Sequence, residues 1–166
     1  GYARDEFKLD VFAGTLEEAK FPTVCIDVVT MWDVIEHLNT PLETAAEISR
    51  ITKPGGLILI YTPNQDSLID AVVHLTYKLS LRKLHFLAQK IYGQRGHLCY
   101  FSRKSLSYLL ELQGYQVEYV GTVPLRAKTC LASTKMERMG AAVIDFMGRA
   151  FNKPYHLVVI GRKVRQ

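Results

Sequence analysis

What this sequence lacks narrows its class before any motif is read. Among 166 residues there is no run of eighteen apolar ones, so no segment is built to cross a bilayer as a helix. The opening GYARDEFKLD has neither the apolar stretch of a secretion signal nor the Arg- and Ser-rich, acid-poor make-up of a transit segment. The expectation is a soluble protein that stays in the cytoplasm. Cysteine is scarce and odd in number. Cys25, Cys99 and Cys130 form no CxxC or Cys/His spacing, so neither a disulfide framework nor a zinc site is indicated, and no metal is expected.

Acidic residues are absent from 71–110, where Lys78, Arg82, Lys83, Lys90, Arg95, Arg103 and Lys104 stand with no counter-charge in sequence. The net charge of +5 conceals a division, because residues 1–70 hold 5 Lys/Arg against 12 Asp/Glu while residues 71–166 hold 16 against 4. The basic stretch is interleaved with Tyr77, Phe86, Tyr92 and Tyr100. Anionic substrate, acidic lipid surface and solvated helix face are all open readings of it. Nucleic acid is set aside, since the first seventy residues are acidic and no recognised binding motif is present.

What is present is enough apolar residue, 48%, for one core, and a single domain over 1–166 is expected. Residues 25–31 (CIDVVTM), 57–62 (LILIYT) and 155–162 (YHLVVIGR) read as near-continuous apolar strands of the kind buried on both faces of a parallel sheet; 116–123 (QVEYVGTV) alternates more. Residues 9–13 (LDVFA) read as a short strand, followed by Gly14 and a Thr15-Leu16-Glu17-Glu18 capping box. Thr40-Pro41-Leu42-Glu43 opens a helix with a hydroxyl cap and Pro at its first position, and Lys53-Pro54-Gly55-Gly56 closes it. Strand 25–31, helix 41–52 and strand 57–62 make a β-α-β unit, which fixes the class as α/β with a right-handed parallel crossover. A second helix runs from Ser102 to Gly114 with Leu106, Leu109, Leu110 and Gln113 on one stripe. Residues 65–100 follow a strand's carboxyl end, so they are expected to form a helical cap over the ligand crevice. In 135–150, Met136, Met139, Val143 and Met147 recur at helical spacing, which points to core or homodimer packing.

The run VVTMWDVIEHLNTP, then KPGGLILIYTPN, then GHLCYFSRKSLSYLLELQGY, resembles the class I S-adenosylmethionine-dependent methyltransferases related to the ubiquinone-biosynthesis O-methyltransferases. The resemblance covers roughly residues 9–162. It implies a Rossmann-like sheet of order 3-2-1-4-5-7-6 with the last strand antiparallel, of which the five strands read here would be the third to the seventh. The family's G-x-G-x-G loop lies after the first strand, where a side chain would block the backbone's approach to the cofactor. None of the eleven glycines falls in that pattern. By resemblance, Gly14, Thr15 and Leu16 lie near the adenine, and Met31, Trp32 and Asp33 complete what remains of the S-adenosylmethionine pocket. Turn, cap and burial roles for Gly14, Thr15 and Trp32 stay open beside that reading.

Methyl transfer is an in-line displacement from a sulfonium, so the protein must align a nucleophile and remove one proton. A histidine suits a hydroxyl acceptor because its unperturbed pKa lies near neutrality. His37 in IEHL and His97 in GHLCYF fall where the family pattern places them, with His97 the better candidate base. Asn64 in YTPN and Tyr100 at the end of the cap are candidate substrate contacts, although a Pro-Asn pair is equally plain turn chemistry. The expected acceptor is a small molecule, sugar or lipid-linked glycan methylated at oxygen, with peripheral membrane contact through the basic cap as a further expectation. Without the first two strands, strand 25–31 would carry an open edge. The chain is accordingly expected to be a fragment, the alternatives being a cover from strand 9–13 or from a second chain. A non-catalytic remnant serving binding or membrane attachment is the competing functional expectation.

Overall fold

The computed structural model describes residues 2–79, 96–124 and 135–164. Arg82, Lys83, Phe86, Lys90, Tyr92, Arg95 and Cys130 lie outside the described residues, as does the side chain of Met136. In chain order the elements are α1 (Tyr2–Phe7), β1 (Ile26–Trp32), a 3-10 turn (Ile35–His37), α2 (Pro41–Ile51), β2 (Thr52–Pro63), α3 (Leu68–Leu79), α4 (Arg103–Leu112), β3 (Tyr115–Val123), α5 (Lys135–Ala150) and β4 (His156–Lys163). No described helix is long and apolar enough to cross a membrane.

The four strands lie in the order β1-β2-β4-β3. β1 runs parallel to β2 in the expected β-α-β crossover, pairing Met31 with Ile60 and Trp32 with Tyr61. β4 inserts between β2 and β3 antiparallel to both, pairing Val159 with Ile60 and with Val120. That is the 4-5-7-6 half of the sheet order implied by the resemblance.

Local chemistry accounts for most of the element ends. Ser102 and Ser105 form a reciprocal capping box at the start of α4: Ser105 N–H donates to Ser102 Oγ at 3.1 Å and Ser102 N–H to Ser105 Oγ at 2.9 Å. Gly114 ends that helix at φ +75°, a backbone region costly for other residues. α2 begins with Pro41 as expected, but the Thr40 hydroxyl makes no cap bond. The helix stops at Ile51, ahead of the Pro-Gly-Gly run. Thr52 is already extended, and its hydroxyl donates to Ile48 O at 2.6 Å. Gly56 is needed for packing, because a Cβ there would lie 2.8 Å from the Asp27 carbonyl of the neighbouring strand.

The core lies on one face of the sheet. Ile58 and Ile60 of β2 and Leu157 and Val159 of β4 alternate onto that face, where they meet Ala45 and Ile48 of α2 and Leu106, Leu109 and Leu110 of α4. Full burial of each such side chain contributes about 1.5–3 kcal/mol.

Three expectations are corrected here. Residues 9–13 are not a strand but exposed or half-exposed irregular chain, and they cover no sheet edge. β1 is not buried on both faces: among the described residues it is an edge strand paired only with β2, Met31 alone of its residues is buried, and Val28 is 55% exposed. A strand with one neighbour and one packed face has nothing to bury its other side chains. The stripe on α5 is not core either, since Met139, Val143 and Met147 are all exposed.

Candidate active site

At the carboxyl tip of β1 the ladder ends with Asp33 N–H donating to Tyr61 O at 2.9 Å. Asp33 then turns the chain at φ 49°, a left-handed conformation that Asp tolerates better than most side chains. This turn starts the 3-10 segment, which drives Ile35 and Glu36 inward, each 1% exposed, and leaves His37 outside.

Glu36 is the pivot of the site. Its Oε2 accepts from the Thr62 hydroxyl at 2.9 Å, while its buried Oε1 has no hydrogen-bond partner among the described residues. Its backbone carbonyl accepts from Leu98 N–H at 2.7 Å and Cys99 N–H at 3.1 Å. His37 Nδ1 lies 3.1 Å from the Gly96 carbonyl, which can only accept. His37 therefore holds its proton on Nδ1 and, when neutral, keeps its lone pair on Nε2. Three hydrogen bonds thus strap residues 96–99 onto the 3-10 segment.

The strap brings the two predicted histidines together. The rings of His37 and His97 meet edge to face with centroids 4.8 Å apart, and Tyr100 meets His97 edge-on at 5.7 Å. Asp33 stands close enough to feel all of these groups. Loss of solvent around its carboxyl, with Glu36 beside it, raises its pKa above the ordinary 3.8, and His97 and His37 pull the other way. One carboxylate oxygen of Glu36 and one ring nitrogen from each of His37 and His97 lie within 4.8 Å of one another, a set able to ligate a cation that sequence spacing did not disclose.

A cavity of about 900 Å³ runs along β1 and α2; Val34 and Leu38, which flank the 3-10 segment, line it, whereas Asp33, Glu36, His37 and His97 do not. Its lining also takes Gly14, Thr15 and Leu16, Val29 and Met31 of β1, and Glu43 of α2. The loop holding Gly14 keeps its expected box, with Thr15 N–H donating to Glu18 Oε2 at 2.7 Å and Glu18 N–H to Thr15 Oγ1 at 3.3 Å, although it is a turn and not a helix. A Cβ on Gly14 would come within 2.6 Å of the Glu18 carboxylate and the Phe12 ring, so a larger residue there would push those two side chains aside.

The predicted pocket residues do not all face one way. Met31 lines the cavity, whereas Trp32, one residue on, stands 59% exposed against Tyr61 at 5.4 Å, and Tyr61 stacks on His156 at 4.6 Å. Burial does not explain this tryptophan. Asn64 is 3% exposed and its amide is committed to the fold: Nδ2 donates to Pro154 O at 3.0 Å and Oδ1 accepts from Asp66 N–H at 3.0 Å. Tyr100 lies half-buried between His97 and a small cavity that Asn64 also lines. Sequence reasoning missed Glu36 and Thr62 as the hidden support, and His156 as part of an aromatic row. The only available signal was a carboxylate at the interior of an apolar run, VIEHL.

A family model described as a methyltransferase domain matches residues 3–120. A probable S-adenosylmethionine-dependent methyltransferase of Mycolicibacterium smegmatis is 38% identical over 58 residues, which span 35% of this chain and 23% of that protein. One of Mycobacterium tuberculosis is 33% identical over 58 residues, 21% of its length. Among solved structures, a SAM-dependent methyltransferase from Archaeoglobus fulgidus superposes with TM-score 0.61 at 20% identity, covering 96% of this chain and 70% of that one. A possible histamine N-methyltransferase from Thermotoga maritima gives TM-score 0.63 at 16% identity, covering 97% and 68%.

Proposed function

Since the chain belongs to the methyltransferase-domain family, we propose that it forms the acceptor-side portion of an S-adenosylmethionine-dependent methyltransferase acting at oxygen on a small-molecule, sugar or lipid-linked acceptor. The observation that carries this reading is the meeting of His37 and His97 just past the tip of β1, the strand whose Met31 lines a cavity together with Gly14.

The cavity suits the nucleoside end of the cofactor. Leu16 and Met31 offer apolar walls to a flat base, and Glu17 and Glu43 offer acceptors for ribose hydroxyls. When bound, the cofactor supplies an electrophilic methyl group on a sulfonium. The residues here supply the rest. His97 takes the proton from the acceptor hydroxyl as its oxygen attacks, His37 holds the 96–99 strap, and the Tyr100 edge restricts the His97 ring. The positive charge that His97 gains faces Asp33 and Glu36, which stabilise it.

The test is calorimetry with S-adenosylhomocysteine on this chain and on one extended upstream, followed by turnover with a panel of hydroxylated acceptors. Binding by either chain is expected, and no heat from either would end the enzyme reading. His97→Ala should lower turnover by about 10²–10⁴-fold with cofactor affinity unchanged. Unchanged turnover would remove His97 from the chemistry.

A further inference from the structure

Helix α5 is oriented against expectation for an amphipathic helix. Its one buried described residue is Gly148, where a Cβ would lie 3.0 Å from the Lys153 carbonyl, a tight fit against the protein. The opposite side carries Met139 at 66% exposure, Val143 at 53%, Phe146 at 72% and Met147 at 43%, spaced so that they form one outward stripe. α3 packs beside α5 and adds Val72, Leu75 and Leu79, also exposed and at helical spacing, and Phe151 follows α5. Scattered exposed apolar residues need no explanation, but an exposed apolar stripe on each of two neighbouring helices does.

The charges bordering the stripe point to what covers it. Exposed Lys78 follows Leu75 by three positions, exposed Arg149 follows Phe146 by three, and exposed Lys153 lies just beyond Phe151. The Asp70 carboxylate on α3 is only 13% exposed and lies 3.7 Å from His74. Residues 71–166 carry 16 Lys/Arg against 4 Asp/Glu. A second copy docked on this face would bring basic groups against basic groups.

We propose that the outward stripe of α5, continued by α3, seats this protein on an anionic lipid surface, its apolar side chains in the acyl boundary and its basic rim against the headgroups. The face is joined to the sheet's carboxyl edge, because Leu68 N–H donates to Lys153 O at 3.0 Å and Asn64 N–H to Tyr155 O at 2.8 Å. Given the methyl-transfer reading, on which this last step alone rests, a lipid-linked acceptor is the class favoured, since the site then opens at the height of a bilayer's headgroups.

Co-sedimentation of the chain with vesicles of phosphatidylcholine, with and without phosphatidylglycerol, tests it. Binding is expected to the anionic vesicles only, weakening with salt. Phe146→Ser with Met147→Ser should weaken it about tenfold or more, and Arg149→Glu with Lys153→Glu should weaken it independently. Absence from the anionic pellet at low salt would overturn the proposal. So would binding that ignores the serine pair, or a dimer dispersed by that pair without vesicle binding, since a second copy would then cover the face. Vesicle binding requires no cofactor, so its failure and the failure of S-adenosylhomocysteine binding are separately visible.

Discussion

Thr62→Val removes the hydroxyl that, among the described residues, donates to the Glu36 carboxylate. Thr62 is 0% exposed and Val matches it closely in volume, so packing is preserved and the loss isolates the 2.9 Å bond from its hydroxyl to Glu36 Oε2. Because Oε1 has no fixed donor among the described residues, the substitution leaves the buried carboxylate with no donor but the Asp33 carboxyl in its protonated form. A hydrogen bond to a charged group contributes about 1.5–3 kcal/mol, against roughly 0.5–1.5 kcal/mol between neutral groups. For a chain of this length each kcal/mol moves Tm by about 2–4 °C, so the loss is about 3–12 °C. The assay is thermal unfolding at pH 8 of the protein, Thr62→Val, Glu36→Gln and the double variant. With Gln at position 36 the bond is neutral, so Thr62→Val should cost less there, a coupling of about 1 kcal/mol or more. An equal cost in both backgrounds would show that the effect comes from packing and not from the buried charge, and the account of Glu36 as the hidden support of the histidine site would fail.

Three further outcomes follow from the same geometry. Asp33→Asn should raise Tm at neutral pH: the raised pKa of Asp33 means its stabilising contribution is complete below 3.8 and is lost as pH rises through the folded value, so the gap between variant and parent in a pH series of melts should close as pH falls toward 3.8. A gap that widens on acidification would contradict it. Leu110→Ala, at 0% exposure under β4, should cost about 2–5 kcal/mol in urea unfolding, whereas Leu112→Ala on the exposed side of the same helix should stay within about 0.5 kcal/mol. Tyr115→Phe removes the hydroxyl that donates to Thr52 Oγ1 at 2.8 Å and should cost about 0.5–1.5 kcal/mol by the same assay, with no change in the far-ultraviolet spectrum.

The reading as a methyltransferase portion and the reading as a lipid-seated protein draw on different parts of the chain. The first rests on the tip of β1 and the 96–99 strap, the second on α3 and α5. They meet at the carboxyl edge of the sheet, through the hydrogen bonds joining Leu68 to Lys153 and Asn64 to Tyr155. A bilayer held there would limit the acceptors that reach His97 to those presented from its surface.

Local signals in the sequence carried the elements whose causes are local. The apolar runs of β1, β2 and β4, the Pro41 start of α2, the Ser102 start and Gly114 end of α4 and the parallel β-α-β crossover were all legible, because periodicity, capping and chain chirality act within a few residues. The element count around Gly14 was misjudged for the converse reason. Residues 9–13 have a strand's composition but no strand among the described residues pairs with them, and pairing is a property of the sheet. Only tertiary structure decided that His37 and His97 share one site, since the three hydrogen bonds that join them bridge segments far apart in sequence. It also decided that Glu36 is buried, that the pleat sends Met31 and Trp32 to opposite faces, and that α5 shows its apolar side to the outside. Spacing names which residues share a face. Which face meets the protein is settled by what else is there to pack against, and that no single stretch of sequence contains.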